Sequence, residues 1–137
     1  MNRYGLIAPV AVNFKTDIRG NLGIAELGGQ NHFEVKRIYY ITDVPEGQSR
    51  GAHGHKELEQ IFFCLKGSFT LTVSDGQAHD SVSVDALNQG FYVPSGLWRD
   101  VTQFSEGAVC LVLASRYYEE SDYIYSFEEF KKWREGQ

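Results

Sequence analysis

The sequence predicts an all-β fold, a sandwich or barrel with one short helix near its end, and three observations carry that expectation. Apolar and polar residues alternate in short runs broken by turn signals about every 8–12 residues. Aromatic residues make up 14% of the chain (Phe 9, Tyr 8, Trp 2) beside a single Met, a composition suited to pleated, half-buried surfaces. Only the last segment carries a helical period. A chain of 137 residues buries roughly 68% of its unfolded surface around one core, so residues 1–137 are expected to form a single domain. The 42% hydrophobic and 23% charged shares exclude disorder, collagen and coiled coil.

In chain order, strands are expected over 10–14, 21–26, 36–43, 58–65, 68–74, 79–84, 89–93 and 108–115. Turns separate them at Arg19-Gly20, Gly28-Gly29, Pro45-Glu46-Gly47, Lys66-Gly67, Asp75-Gly76 and Pro94-Ser95-Gly96, where Gly or Pro supplies the required dihedrals. Asp75-Gly76, between two alternating runs, is the strongest hairpin signal. The segment 126–134, SFEEFKKWR, reads as a helix: Ser126 and Glu129 form a capping box, and Phe127, Phe130 and Trp133/Arg134 recur at helical spacing. Linkers, internal repeats and low-complexity segments are absent from the sequence.

No apolar run approaches the ~20 residues that span a bilayer, and the opening MNRYGLIAPVAVNF has too short an apolar stretch for a signal peptide. A cytoplasmic protein without membrane contact is expected. The net charge of -5 argues against a nucleic-acid partner. That sum hides an asymmetry. Residues 1–56 are near +2, with Arg3, Lys15, Arg19, Lys36, Arg37, Arg50 and Lys56 as their basic groups, and residues 57–137 are near -7. Arginines of the first part could receive a small anion such as a phosphate, although most such charges are simply solvated. Cys64 and Cys110 lie in the apolar runs IFFCL and AVCLVLA, so buried free thiols are expected rather than a disulfide.

The most informative stretch is RGAHGHKELEQ (50–60), which runs into IFFCL and the turn at Gly67. In a strand, His53 and His55 point to one face because side chains alternate with period two. Two imidazoles on one face suit a metal or a proton transfer; filling a barrel interior is the plainer alternative, though apolar side chains are the usual fill.

This stretch resembles the first motif of the cupin superfamily, G-x5-H-x-H-x3,4-E-x6-G, through His53, His55 and Gly67. GFYVPSG (90–96) loosely resembles the second, G-x5-P-x-G-x2-H-x3-N. The resemblance implies a double-stranded β-helix, the jelly-roll barrel. Two ligand positions depart from it. Gln60 stands where the motif has Glu, with Glu59 one position earlier, and Arg99 takes the place of the second-motif His. Arg only donates hydrogen bonds and cannot coordinate a cation. Two neutral imidazoles alone hold a divalent ion weakly, and alternation is expected to turn Glu59 away from Gln60. The reading is a cupin without a metal that keeps its histidines for acid–base work, a role for which a pKa near neutrality fits.

A closer resemblance covers nearly the whole chain. KRIYYI (36–41), RGAHGHKELEQ, CLKGS, GFYVPSGLWR and VLASRYYEESDYI (112–124) are similar to the dTDP-sugar 3,4-ketoisomerases, which convert dTDP-4-keto-6-deoxyglucose to its 3-keto isomer. The resemblance implies a homodimer that uses no metal and no organic cofactor, with a dTDP-linked keto sugar as its partner. It implies that His53 moves the carbon-bound proton and that His55 assists in proton transfer or in holding the enediol. Tyr40, if its hydroxyl faces inward, is the third expected catalytic group, reaching a sugar oxygen, while Gln60 orients an imidazole or a hydroxyl. Arg19, Arg37 and Arg50 are the expected phosphate ligands, since a guanidinium fork binds oxygen pairs. Trp98, Tyr39, Tyr117 and Tyr118 are possible stacking partners for the base, and Asp122 and Tyr123 match the family's DYI without a role. Arg19 and Arg99 stand at positions that vary with product configuration at C4: Arg and His accompany the galacto product, Tyr and Arg the gluco one. This chain mixes the two patterns, and Arg99 is counted with the substrate-binding residues. The N-terminal strand around 6–14 is expected to cross to a second copy. A dTDP-sugar 3,5-epimerase, a non-catalytic sugar-nucleotide-binding cupin module and a metal-dependent cupin using Glu59 are the alternative readings.

Overall fold

The structure, a computed structural model, describes residues 5–28 and 32–137. The strands are β1 (Ala8–Ala11), β2 (Asn13–Asp17), β3 (Gly20–Ile24), β4 (Arg37–Thr42), β5 (Arg50–His55), β6 (Gln60–Lys66), β7 (Phe69–Ser74), β8 (His79–Val84), β9 (Gln89–Val93), β10 (Trp98–Thr102), β11 (Val109–Ala114) and β12 (Tyr123–Ile124). One helix, α1 (Phe127–Glu135), follows. The strands form an antiparallel sheet β1-β9-β6-β11-β4, a second sheet β12-β5-β10-β7-β8, and a β2-β3 ribbon. This is the all-β architecture with a short terminal helix that the sequence predicts.

The main core lies between the two five-stranded sheets. Phe62, Phe91 and Val112 of the first meet Phe69, Leu71, Val73 and Val101 of the second. Period-two alternation sends the other residues of the first sheet outward, where Val10, Phe33, Ile61 and Phe63 make a second cluster. Alternation decides the placement of Glu59 too: it shares the Ile61 side and accepts a hydrogen bond from the Tyr92 hydroxyl. Cys64 and Cys110 are buried free thiols, paired across β6 and β11.

The hairpin at Asp75-Gly76 forms as expected, with the Asp75 carboxylate accepting from the amides of Gln77 and Ala78. Ser126 caps α1 by accepting from the Glu129 amide at 3.3 Å, and Phe130 is fully buried. The expected strand 10–14 is instead split between β1 and β2 at Val12, whose amide bonds the Asn88 carbonyl. Within this chain β1 pairs with β9. Of the expected Gly28-Gly29 turn, Gly29 lies outside the described residues. β10 lies outside the expected strand spans, and β5 is expected only through the His53–His55 alternation, because their glycines and charges hide the apolar pattern; each is held by pairing on both sides. Among the described residues no helix is long and apolar enough to cross a membrane.

Candidate active site

β5 and β10 lie side by side in the second sheet and carry the groups of interest on their inner face. His53 pairs with Arg99 of β10, and His55 pairs with Tyr123 of β12. The imidazoles stand 4.8 Å apart between centroids at 67°. The Tyr123 ring meets His55 edge-on at 4.6 Å and lies 5.0 Å from His53, with Tyr125 at 5.8 Å from His53. Alternation along one strand thus does what the sequence predicts for the pair.

Both histidines are held neutral. Burial, reinforced by the nearby Arg99 guanidinium, lowers the His53 pKa to about 4. Burial, Arg99, His53 and Arg37 together push His55 lower still. His53 Nδ1 and His55 Nε2 are buried without a hydrogen-bond partner. An unpaired buried group costs about 1–3 kcal/mol, a cost commonly met where a ligand completes the bonding.

Arg99 is 3% exposed and makes no ion pair among the described residues. Its Nε donates to Gln60 Oε1 at 2.7 Å, its Nη1 to the Gly51 carbonyl at 3.0 Å, and its Nη2 to the Tyr39 hydroxyl at 2.9 Å. Gln60 Nε2 donates to the same hydroxyl at 2.6 Å. Gly51 leaves room for this: its φ is +70°, and a Cβ there would sit 1.9 Å from Arg99 Nη1.

Between the sheets opens a cavity of about 340 Å³, lined by Arg37, Tyr39, Tyr40, Ile41, Arg50, Gly51, His53, Arg99 and Tyr123. Arg37 donates to the Tyr123 hydroxyl at 3.2 Å and lies 5.7 Å over the Tyr39 ring and 5.8 Å over Tyr118. The arrangement offers neutral bases on one wall and a fixed cation with hydroxyl donors around it, which suits abstraction of a carbon-bound proton next to a carbonyl.

A cupin metal does not fit these residues. Gln60 Oε1 is taken by Arg99, Glu59 faces the opposite side of the sheet, and a guanidinium stands at the fourth ligand position. Among the described residues no three His, Cys, Asp or Glu side chains are placed to share a cation.

The structure brings His53, His55, Gln60, Arg37, Arg50 and Arg99 to or beside the cavity. Tyr40 borders the cavity only from its exposed side. β4 alternates, and Tyr40 is 72% exposed while Tyr39 turns inward, so the hydroxyl inside the barrel is that of Tyr39. Placing Arg37 inside by the same period would have found it. Arg19 does not line the cavity; it sits on the β2-β3 turn, paired with Asp17 in solvent. Trp98 packs against Phe127 and Phe130, and Tyr117 is exposed. Asp122 is buried and accepts from the amides of Glu57 and Leu58, anchoring the chain just after His55. Tyr123 and Gly51 were given no role from the sequence.

The family model described as FdtA: WxcM-like, C-terminal matches residues 8–135. The TDP-4-oxo-6-deoxy-alpha-D-glucose-3,4-oxoisomerase of Aneurinibacillus thermoaerophilus is 40% identical over 124 residues, 89% of each chain. A 3,4-ketoisomerase from Helicobacter canadensis superposes with a TM-score of 0.88 at 38% identity, covering 94% of this chain and 97% of its own. The 3,4-ketoisomerase QdtA from Thermoanaerobacterium thermosaccharolyticum, solved as a histidine-to-asparagine mutant in complex with TDP-4-keto-6-deoxyglucose, gives 0.90 at 32% identity and 96% of each chain.

Proposed function

The chain belongs to the FdtA family, and from that membership we propose that it is a sugar-nucleotide 3,4-ketoisomerase, one cupin domain over 1–137, acting on dTDP-4-keto-6-deoxyglucose. The observation that carries the reading is a pair of neutral histidines beside a buried cation in a protein 40% identical to a 3,4-oxoisomerase. Moving the ketone from C4 to C3 requires loss of the C3 proton, an enediol, and return of a proton to C4. A neutral His53 is already the base this needs, and the Arg99 charge opposite it favours the enediolate electrostatically. His55 lies near enough to share the proton. A positioned acid–base group of this kind is worth roughly 100- to 10,000-fold in rate. The substrate complex of a histidine-to-asparagine mutant of QdtA supports a histidine as the reacting group.

Arg37 and Arg50, at the cavity wall, are the phosphate ligands in this reading. Arg19 reaches a substrate only from a neighbouring copy, since its hairpin carries it outward. A homodimer is supported by apolar surface left open: Ile38 and Tyr40 on the outer face of the edge strand β4, and Ile18 and Leu22 on the hairpin. Free buried thiols at Cys64 and Cys110 suit a reducing cytoplasm. No metal, organic cofactor, nucleic acid or membrane takes part. The test is incubation with dTDP-4-keto-6-deoxyglucose followed by proton NMR: a 3-keto product supports the reading, its H3–H4 coupling gives the C4 configuration, and binding without conversion overturns it in favour of a binding module.

A further inference from the structure

The acid–base chemistry uses neither Asp122 nor Tyr123, yet the fold fixes both. The Asp122 carboxylate accepts from the Glu57 amide at 2.8 Å and the Leu58 amide at 3.3 Å, and its carbonyl accepts from the Lys56 amide at 3.0 Å. This clamp lays β12 along β5 with Tyr123 opposite His55. The Tyr123 ring is then surrounded by other rings: His55 edge-on at 4.6 Å, His53 at 5.0 Å, Tyr118 at 5.3 Å and Tyr125 stacked at 5.9 Å. Its hydroxyl accepts from Arg37 Nη2 at 3.2 Å. Arg donates only, so the phenol keeps its own proton to give. Among the described residues nothing accepts that proton, and the buried nitrogens His53 Nδ1 and His55 Nε2 are themselves unpaired. Tyr123 lines the cavity together with Arg37 and His53, in contact with both. The acceptor is therefore supplied by the ligand.

We propose that the Tyr123 hydroxyl donates to the C2 hydroxyl of the bound sugar and so selects substrates that carry it. The inference rests on the ketoisomerase reading, in which Arg37 holds phosphate and His53 acts at C3. The diphosphate leaves the sugar ring at C1, and C2 is the one ring atom that separates C1 from C3. A side chain that touches both the phosphate-holding guanidinium and the imidazole at C3 is placed beside C2. The C2 hydroxyl oxygen has lone pairs to receive the phenol proton. Rigidity serves the contact, because a phenol fixed before the sugar arrives loses little freedom on binding. A 2-deoxy sugar leaves the phenol proton unpaired, and a polar group stranded in this way is what lets a site reject an analogue lacking a hydroxyl. Tyr123 is a specificity-determining residue in this step; proton movement on carbon stays with His53.

The test is a cycle of two enzymes, wild type and Tyr123→Phe, on two substrates, dTDP-4-keto-6-deoxyglucose and dTDP-4-keto-2,6-dideoxyglucose, read as kcat/KM by proton NMR beside the affinity for dTDP. Phe keeps the ring contacts to both histidines and removes only the hydroxyl. On the full substrate Tyr123→Phe is expected to lose about two- to tenfold in kcat/KM, while on the 2-deoxy substrate the two enzymes are expected to agree. Any effect of the missing hydroxyl on the reactivity of C3 is common to both enzymes and cancels in the cycle. Affinity for dTDP, which carries no sugar, is expected to be unchanged. An equal loss on both substrates is what a structural role gives, and it overturns the proposal, as does no loss on the full substrate. A fall in dTDP affinity by the same factor would assign the hydroxyl to the phosphate and overturn it too. Should the 2-deoxy sugar turn over too slowly to rank, the cycle is read as sugar-nucleotide affinity in the His53→Asn background, where the same pattern is expected and an equal loss contradicts it. Wild-type protein that moves no ketone overturns the functional reading itself, whereas equal losses beside an active wild type overturn the C2 contact alone.

Discussion

Arg99 and His53 stand directly opposite each other across the β10-β5 pair, so a permanent cation is fixed beside an imidazole that must be neutral to act as a base. Burial and this cation both disfavour the imidazolium, placing the His53 pKa at about 4 against an ordinary value of about 6.5. The acid limb of kcat/KM should therefore fall well below pH 6, and Arg99→Met should move it upward toward the ordinary value. A pH–rate profile of the wild type that half-decays at 6.5 or above would contradict this. Stability follows the same sign. Below about pH 6.5 the unfolded chain takes up protons that the folded histidines refuse, so stability is full above that pH and declines as the pH falls, to about 4 for His53 and further still for His55.

Gly51→Ala should damage the site without touching a histidine. The residue has φ +70°, and the added Cβ would meet Arg99 Nη1 at 1.9 Å, so the guanidinium must leave its bonds to Gln60 and Tyr39. Strain in the left-handed region alone costs about 1–3 kcal/mol. A lowered Tm together with loss of most turnover is expected by calorimetry and NMR assay; unchanged values of both would show that Arg99 is not held as described.

Turnover should survive exhaustive chelation. The donor set supports this: Gln60 and Arg99 occupy two of the positions where a cupin metal would find ligands, and Glu59 is bonded to Tyr92 on the far side of the sheet. Activity abolished by EDTA and restored by a divalent cation would refute the acid–base account.

Paired substitution of Ile38 and Tyr40 by Glu should yield a monomer in sedimentation. Both are exposed on one face of the edge strand β4, and alternation makes them neighbours two residues apart. Retention of a dimer would assign the interface elsewhere, with the β2-β3 hairpin next in line.

The histidine pair, the buried thiols, the Asp75-Gly76 hairpin and the capped helix were legible because each depends on local spacing. Glu59 turning away from Gln60 was legible for the same reason. Tyr39 and Tyr40 show where spacing runs out: adjacent tyrosines differ only in which face the strand presents, and that face is set by pairing with β11. β10 was hidden, and β5 legible only through its histidines, because Gly51, Gly54, Arg99 and Asp100 break the apolar alternation; the bonds that fix them come from strands distant in sequence. The three-way contact of Arg99, Gln60 and Tyr39 spans 60 positions, and no short-range pattern announces it.

The most direct measurement of the central claim is a proton NMR time course with dTDP-4-keto-6-deoxyglucose in deuterated water, wild type beside His53→Asn. The account predicts a 3-keto product for the wild type, with deuterium at C4 to the extent that the His53 imidazolium exchanges with solvent before it reprotonates the enediol, and for His53→Asn a rate lower by roughly 100- to 10,000-fold with dTDP still bound. Exchange at C3 and C5 without ketone migration, or a His53→Asn protein that turns over at the wild-type rate, would contradict it.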